Sequence, residues 1–158
     1  MPTRIPQDLP AEGKVLAFDV GTKTLGLAIS DGLRITAQPR PTLPYAKWGQ
    51  LRPQLEDLVK AENVTCCIVG LPLHMSGAAG SSADRAMSFA DQLEKDLGLP
   101  VLLWDERLST KAAEAAMFEQ RTGRQTRAGK KSVKQQNLDS VAASLILQSA
   151  LALIGAPR

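Results

Sequence analysis

Residues 15–29, Val15-Leu16-Ala17-Phe18-Asp19-Val20-Gly21-Thr22-Lys23-Thr24-Leu25-Gly26-Leu27-Ala28-Ile29, consist of two short apolar runs joined by a turn. The first run ends in Asp19 and the turn Gly21-Thr22-Lys23-Thr24. Leu25, Leu27 and Ile29 then alternate with smaller residues, the period of a strand. A leading antiparallel hairpin is therefore expected, with an aspartate at the C-terminal end of its first strand.

Working outward from the hairpin, a third strand is expected near Arg34 to Ala37, before Pro39, Pro41 and Pro44 interrupt regular structure. Trp48, Leu51, Leu55, Leu58 and Val59 recur at helical spacing. Thr65 to Leu71 is a β-branched, apolar run that fits a strand buried on both faces, and the Gly- and Ser-rich stretch Pro72 to Ser82 fits a loop. A second helix carries Ala86, Phe89, Ala90, Leu93 and Leu97, and Gly98 and Pro100 stop it before the strand Val101 to Trp104. Ser109 or Thr110 can cap a third helix reaching about Gln120, and a last helix runs from about Gln135 to Ile154. Strands alternating with helices after a hairpin predict an α/β fold, a mixed central sheet with helices on both faces, of the ribonuclease H-like kind.

The 158 residues suit one domain, expected over residues 14–158 behind a flexible tail of residues 1–13. The tail lacks the apolar core of a secretory signal, and no apolar run is long enough to span a bilayer. No membrane association is expected. Cys66 and Cys67 are adjacent in a strand, so their side chains point to opposite faces; that usage fits a reducing cytoplasm. With those two cysteines and one histidine, a Cys/His zinc site has too few ligands, and any metal must be held by oxygen.

Net charge is +3, yet Arg121, Arg124, Arg127, Lys130, Lys131 and Lys134 fall in a stretch without acids. The rest of the chain is left at −3, so the positive field is local and points to a polyanion-binding segment, the alternative being a solvated loop.

Asp19 sits where ligands gather in open α/β sheets, although an aspartate can also serve the turn itself. Asp105 and Glu106 end another strand at the same edge; alternation sends them to opposite faces, and periodicity does not choose between them. Asp139 shares a helical face with Ala142, Ala143, Ile146, Ala150 and Leu153. A carboxylate on such a stripe is costly unless a charge or metal compensates; a first-turn aspartate favoured by the helix dipole is the alternative. Three converging carboxylates call for a hard divalent ion, Mg²⁺ or Mn²⁺.

The segments Leu16-Ala17-Phe18-Asp19-Val20-Gly21-Thr22-Lys23, Ile68-Val69-Gly70-Leu71-Pro72-Leu73, Asp105-Glu106-Arg107-Leu108-Ser109-Thr110 and Leu138-Asp139-Ser140-Val141-Ala142-Ala143 together resemble the YqgF (RuvX) family. The resemblance runs from about Lys14 to Leu153. It implies a RuvC-related nuclease fold, with roles in processing the 5′ end of pre-16S ribosomal RNA and in Holliday-junction resolution. It also places the family's acidic positions on Asp19, Glu106 and Asp139. One departure is His74-Met75-Ser76-Gly77, where the family has Asn-Met-Asp-Gly.

The expected function is therefore a Mg²⁺- or Mn²⁺-dependent endonuclease for structured RNA or branched DNA. Asp19 would bridge two metals, and Glu106 and Asp139 would each complete one. Lys23, Arg107 and the basic segment would hold phosphates, and symmetric resolution of a four-way junction would call for a homodimer. Two other classes compete. One is an RNA-binding ribosome-assembly factor that does not cut. The other is a nucleotide-binding domain of the actin and sugar-kinase type, which needs a second such domain.

Overall fold

The computed structural model describes residues 9–72, 81–106 and 131–154, with side chains in the last stretch from Ser140 onward. The elements are β1 (Lys14–Val20), β2 (Thr24–Ser30), β3 (Ala37–Pro44), α1 (Trp48–Glu62), β4 (Val64–Leu71), α2 (Ser81–Leu97), β5 (Val101–Asp105) and α3 (Lys131–Ile154). The strands form one sheet in the order β3-β2-β1-β4-β5. β1, β2 and β3 pair antiparallel, whereas β4 pairs parallel with both β1 and β5. The chain thus winds one way from β1 through the hairpins and the other way through β4 and β5. The carboxyl ends of β1 and β4 flank the point where the winding reverses, which is where open α/β sheets bind ligands.

Alternation along the strands divides the core in two. Leu16, Phe18, Leu25, Leu27, Cys67, Val69 and Val101 pack with Leu51 and Leu55 of α1 and Phe89 and Leu93 of α2. The ring of Phe89 meets Phe18 at 5.0 Å and Trp48 at 5.9 Å, both edge to face. On the other face Val15, Ala17, Ala28, Cys66, Ile68, Leu102 and Trp104 pack against Ala143, Ile146, Leu147, Ala150 and Leu151 of α3. Helices therefore cover both faces, as expected from the element order.

Several local expectations are corrected. The third strand is not Arg34 to Ala37 but Ala37–Pro44, and it contains the three prolines. It is an edge strand, which tolerates residues without an N–H, and the β2–β3 register shifts between Leu25 and Leu27, placing Pro41 at a bulge. Arg34 lies in the preceding turn with φ 58°. Its buried guanidinium donates to the carbonyls of Gly13 (2.9 Å) and Glu12 (3.0 Å). With Leu9 buried among the α3-side residues, Leu9 to Gly13 are held against the sheet although they were expected to belong to the tail.

α3 begins at Lys131, four residues before the expected Gln135. Its buried stripe is Ser140, Ala143, Ser144, Ile146, Leu147, Ala150 and Leu151, while Leu153 is 61% exposed. The stripe is thus rotated from the one containing Ala142 and Leu153. The expected helix ending near Gln120 and the cations Arg107, Arg121, Arg124, Arg127 and Lys130 lie outside the described residues, as does the loop containing His74. Lys131 and Lys134 lie on the backbone of α3.

Candidate active site

At the end of β1 the chain reverses through a turn closed by Gly21 N–H donating to the Thr24 carbonyl at 3.0 Å. A Cβ on Gly21 would lie 2.8 Å from that carbonyl oxygen, so the turn needs a residue without one. This fixes the end of β1, where Asp19 pairs with Gly26 of β2. Asp19 shares the strand face of Val15 and Ala17, the face α3 covers. Lys23 stands exposed in the turn at the same edge of the sheet.

Beyond β5, Glu106 falls on the face of Leu102 and Trp104, again the α3 side, and its carboxyl group is in hydrogen-bond contact with Asp19. Asp105 has the opposite strand parity and acts on Glu106 through its charge. Of the two adjacent acids, the structure brings Glu106 to Asp19.

β1 and β5 are separated by β4, so the strands carrying these two acids are about 9–10 Å apart. Their carboxyl groups meet because the β4 residue between them is Gly70, whose register partner on β5 is Trp104. A Cβ there would lie 2.6 Å from Ile146 Cδ1 and 2.9 Å from Glu106 Oε1. The missing side chain is therefore occupied by Glu106 and by α3. Sequence reasoning passed over Gly70. The available signal was a lone glycine in an otherwise apolar, β-branched strand, which commonly marks close approach of another group.

Burial is the largest influence on Glu106 and pushes its carboxyl above the usual range. The hydrogen bond with Asp19 works against that shift, and the charge of Asp105 adds to it. Two carboxylates in contact cannot both be ionised without help: they share a proton or take a cation between them. An all-oxygen donor pair at a sheet edge suits a hard divalent ion better than zinc or copper.

Asp139, the third expected acid, lies on α3 one residue before buried Ser140, and its side chain is outside the described residues. By helical phase it shares the flank of Ile146 and Ala150. Among the described residues no three His, Cys, Asp or Glu side chains form a metal-binding group, so the described site is the Asp19–Glu106 pair.

A five-stranded mixed sheet of this order with helices on both faces is a ribonuclease H-like fold. Thermus thermophilus RuvC shares the fold with a TM-score of 0.55 and 14% identity, over 91% of this chain and 98% of that one. The same protein in complex with a Holliday junction substrate gives 0.54 and 15%, over 92% and 98%.

The chain belongs to the RuvX family, whose profile, described as Holliday junction resolvase, matches residues 13–153. It is 41% identical to a Paracoccus denitrificans protein named "Putative pre-16S rRNA nuclease", over 90% of this chain and 86% of the relative. An Agrobacterium fabrum protein of the same name is 40% identical, over 92% and 87%. Family and relatives make the chain a nuclease, a hydrolase acting on nucleic acid. No helix among the described residues is long and apolar enough to cross a membrane.

Proposed function

We propose that this chain is a Mg²⁺- or Mn²⁺-dependent endonuclease that trims the 5′ end of pre-16S ribosomal RNA in the cytoplasm, with four-way DNA junctions as a second substrate. The observation that carries this reading is the contact of the Asp19 and Glu106 carboxyl groups across Gly70. Asp19, Glu106 and Asp139 would hold the metal, which when bound supplies water activation and stabilisation of the leaving oxygen in phosphodiester hydrolysis.

The chain's own contribution is to gather the acids at one edge and to orient the scissile phosphate. Gly70 leaves the space in which Glu106 reaches Asp19, and the tight turn at Gly21 sets the end of the strand that carries Asp19. Lys23, Arg107 and the basic residues Arg121, Arg124, Arg127, Lys130, Lys131 and Lys134 would hold phosphates along the substrate. Symmetric cutting of a junction would require two copies of the chain.

The test is cleavage by purified protein of a 5′-extended 16S precursor RNA and of a four-way junction, with Mg²⁺, Mn²⁺ or EDTA. Cleavage should require the metal. Asp19→Asn, Glu106→Gln and Asp139→Asn should each lower the rate by about 10²-fold or more, the scale of removing one charge-stabilising group, with binding retained. Near wild-type rates in Asp19→Asn would refute the site. Tight RNA binding without metal-dependent cleavage would favour the assembly-factor reading.

A further inference from the structure

Among the residues of α3 whose side chains are described, the buried apolar ones are Ala143, Ile146, Leu147, Ala150 and Leu151, and they meet the sheet through apolar contacts. Apolar contacts are non-directional, and alanine-rich faces distinguish poorly between neighbouring registers. A shift of one residue moves a helical position by about 1.5 Å along the axis and about 100° around it. A metal ligand at Asp139 needs a more directional constraint than this packing provides.

Ser140 supplies one. It is 2% exposed, and its Oγ accepts a hydrogen bond from the Leu27 backbone N–H at 3.3 Å. Leu27 lies at the bulge where the β2–β3 register shifts, and it follows Gly26, the residue paired with Asp19 across the β1–β2 ladder. The bond therefore joins the residue after Asp139 to the residue after Asp19's pairing partner. A buried polar contact of this kind selects one arrangement, because any other leaves a donor and an acceptor unsatisfied.

We propose that Ser140 is a positioning residue that sets the register of α3 on the sheet and so delivers Asp139 to the Asp19–Glu106 pair; the proposal rests on the reading of Asp139 as a metal ligand. Ser144 provides a matched control one turn along the same helix. It is equally buried at 2% exposure, but its hydroxyl donates to the Val141 carbonyl at 2.7 Å, within the helix.

Ser140→Ala, Ser144→Ala and Asp139→Asn should be compared by hydrogen exchange at the Leu27 amide, calorimetric titration with Mn²⁺ and cleavage kinetics. Ser140→Ala should speed exchange at Leu27, weaken Mn²⁺ binding several-fold and lower kcat about tenfold at little-changed KM. Ser144→Ala should do none of these at a similar change in Tm. Ser140→Thr, which retains the hydroxyl, should recover part of the loss. Unchanged Leu27 exchange in Ser140→Ala, or metal binding equal in the two alanine variants while Asp139→Asn is inactive, would overturn the positioning role alone. An active Asp139→Asn would overturn the ligand reading and the positioning role with it.

Discussion

Gly70→Ala tests the packing that brings the two acids together. The added methyl would sit 2.6 Å from Ile146 Cδ1 and 2.9 Å from Glu106 Oε1, against ordinary contacts of about 3.5–4 Å. Overpacking of this kind costs about 1–3 kcal/mol, and at about 2–4 °C per kcal/mol for a chain of this size the Tm should fall by roughly 2–12 °C. The Ile146 end can swing aside, but Glu106 can retreat only by losing its approach to Asp19. Activity should therefore fall further than stability, by on the order of 10²-fold for a displacement near 1 Å.

Adding Ile146→Val separates the two effects. Removing Cδ1 should make the pair of substitutions less destabilising than the sum of the single ones, while cleavage stays low because the Glu106 contact persists. Gly49→Ala is the counterpart on α1, where nothing lies within 4 Å of the new Cβ; it should leave activity intact and stabilise slightly. Thermal melts and metal-dependent cleavage read both quantities. Wild-type Tm and activity in Gly70→Ala would refute the close approach and the role of Gly70 in admitting Glu106.

In metal-free protein the raised pKa of Glu106 makes the folded state hold that proton more tightly than the unfolded chain does. Its contribution to stability is complete below the ordinary carboxylate range and is lost as pH rises through the folded-state value. Melting in EDTA against pH should show this fall in wild type relative to Glu106→Gln, and saturating Mn²⁺ should abolish it; no difference between the two proteins would contradict burial of the carboxyl. The comparison with Glu106→Gln matters because Asp31, held down by the Thr36 and Ile35 amides, and Glu62, held down by Lys14, contribute with the opposite sign. For the basic segment, neutralising Arg124, Arg127, Lys130 and Lys131 together should weaken binding to all sequences and flatten the log-affinity against log-salt slope by about 0.7–0.9 per lost phosphate contact. An unchanged slope in filter binding would show that these cations do not touch the substrate.

The hairpin, the buried strand before Pro72 and the helices α1 and α2 were legible because their periods are strong: Leu25, Leu27 and Ile29 alternate, and Phe89, Ala90 and Leu93 share one helical face that is buried. The edge strand was not, since its prolines argue against a strand unless it is known to lie at an edge and to bulge at Pro41. That knowledge belongs to the sheet order, which no local period contains. The stripe on α3 shows a similar limit. With apolar residues over much of its surface, Leu153 fits the stripe in sequence yet lies exposed, and the buried serines Ser140 and Ser144 define the true face.

The site follows the same division. Asp19 and Glu106 announce themselves by standing at or just beyond the end of an apolar run, but whether two acids meet depends on what lies between them. β4 separates β1 from β5, and any side chain at position 70 would fill the space that Glu106 uses to reach Asp19. The informative residue is thus one with no functional group. Ser140 is its counterpart on the helix, an ordinary buried hydroxyl until the bulge at Leu27 supplies its donor. In the proposed site the chemistry would be carried by residues that a sequence displays openly, and their alignment by Gly70 and Ser140, whose meaning depends on partners distant in the chain.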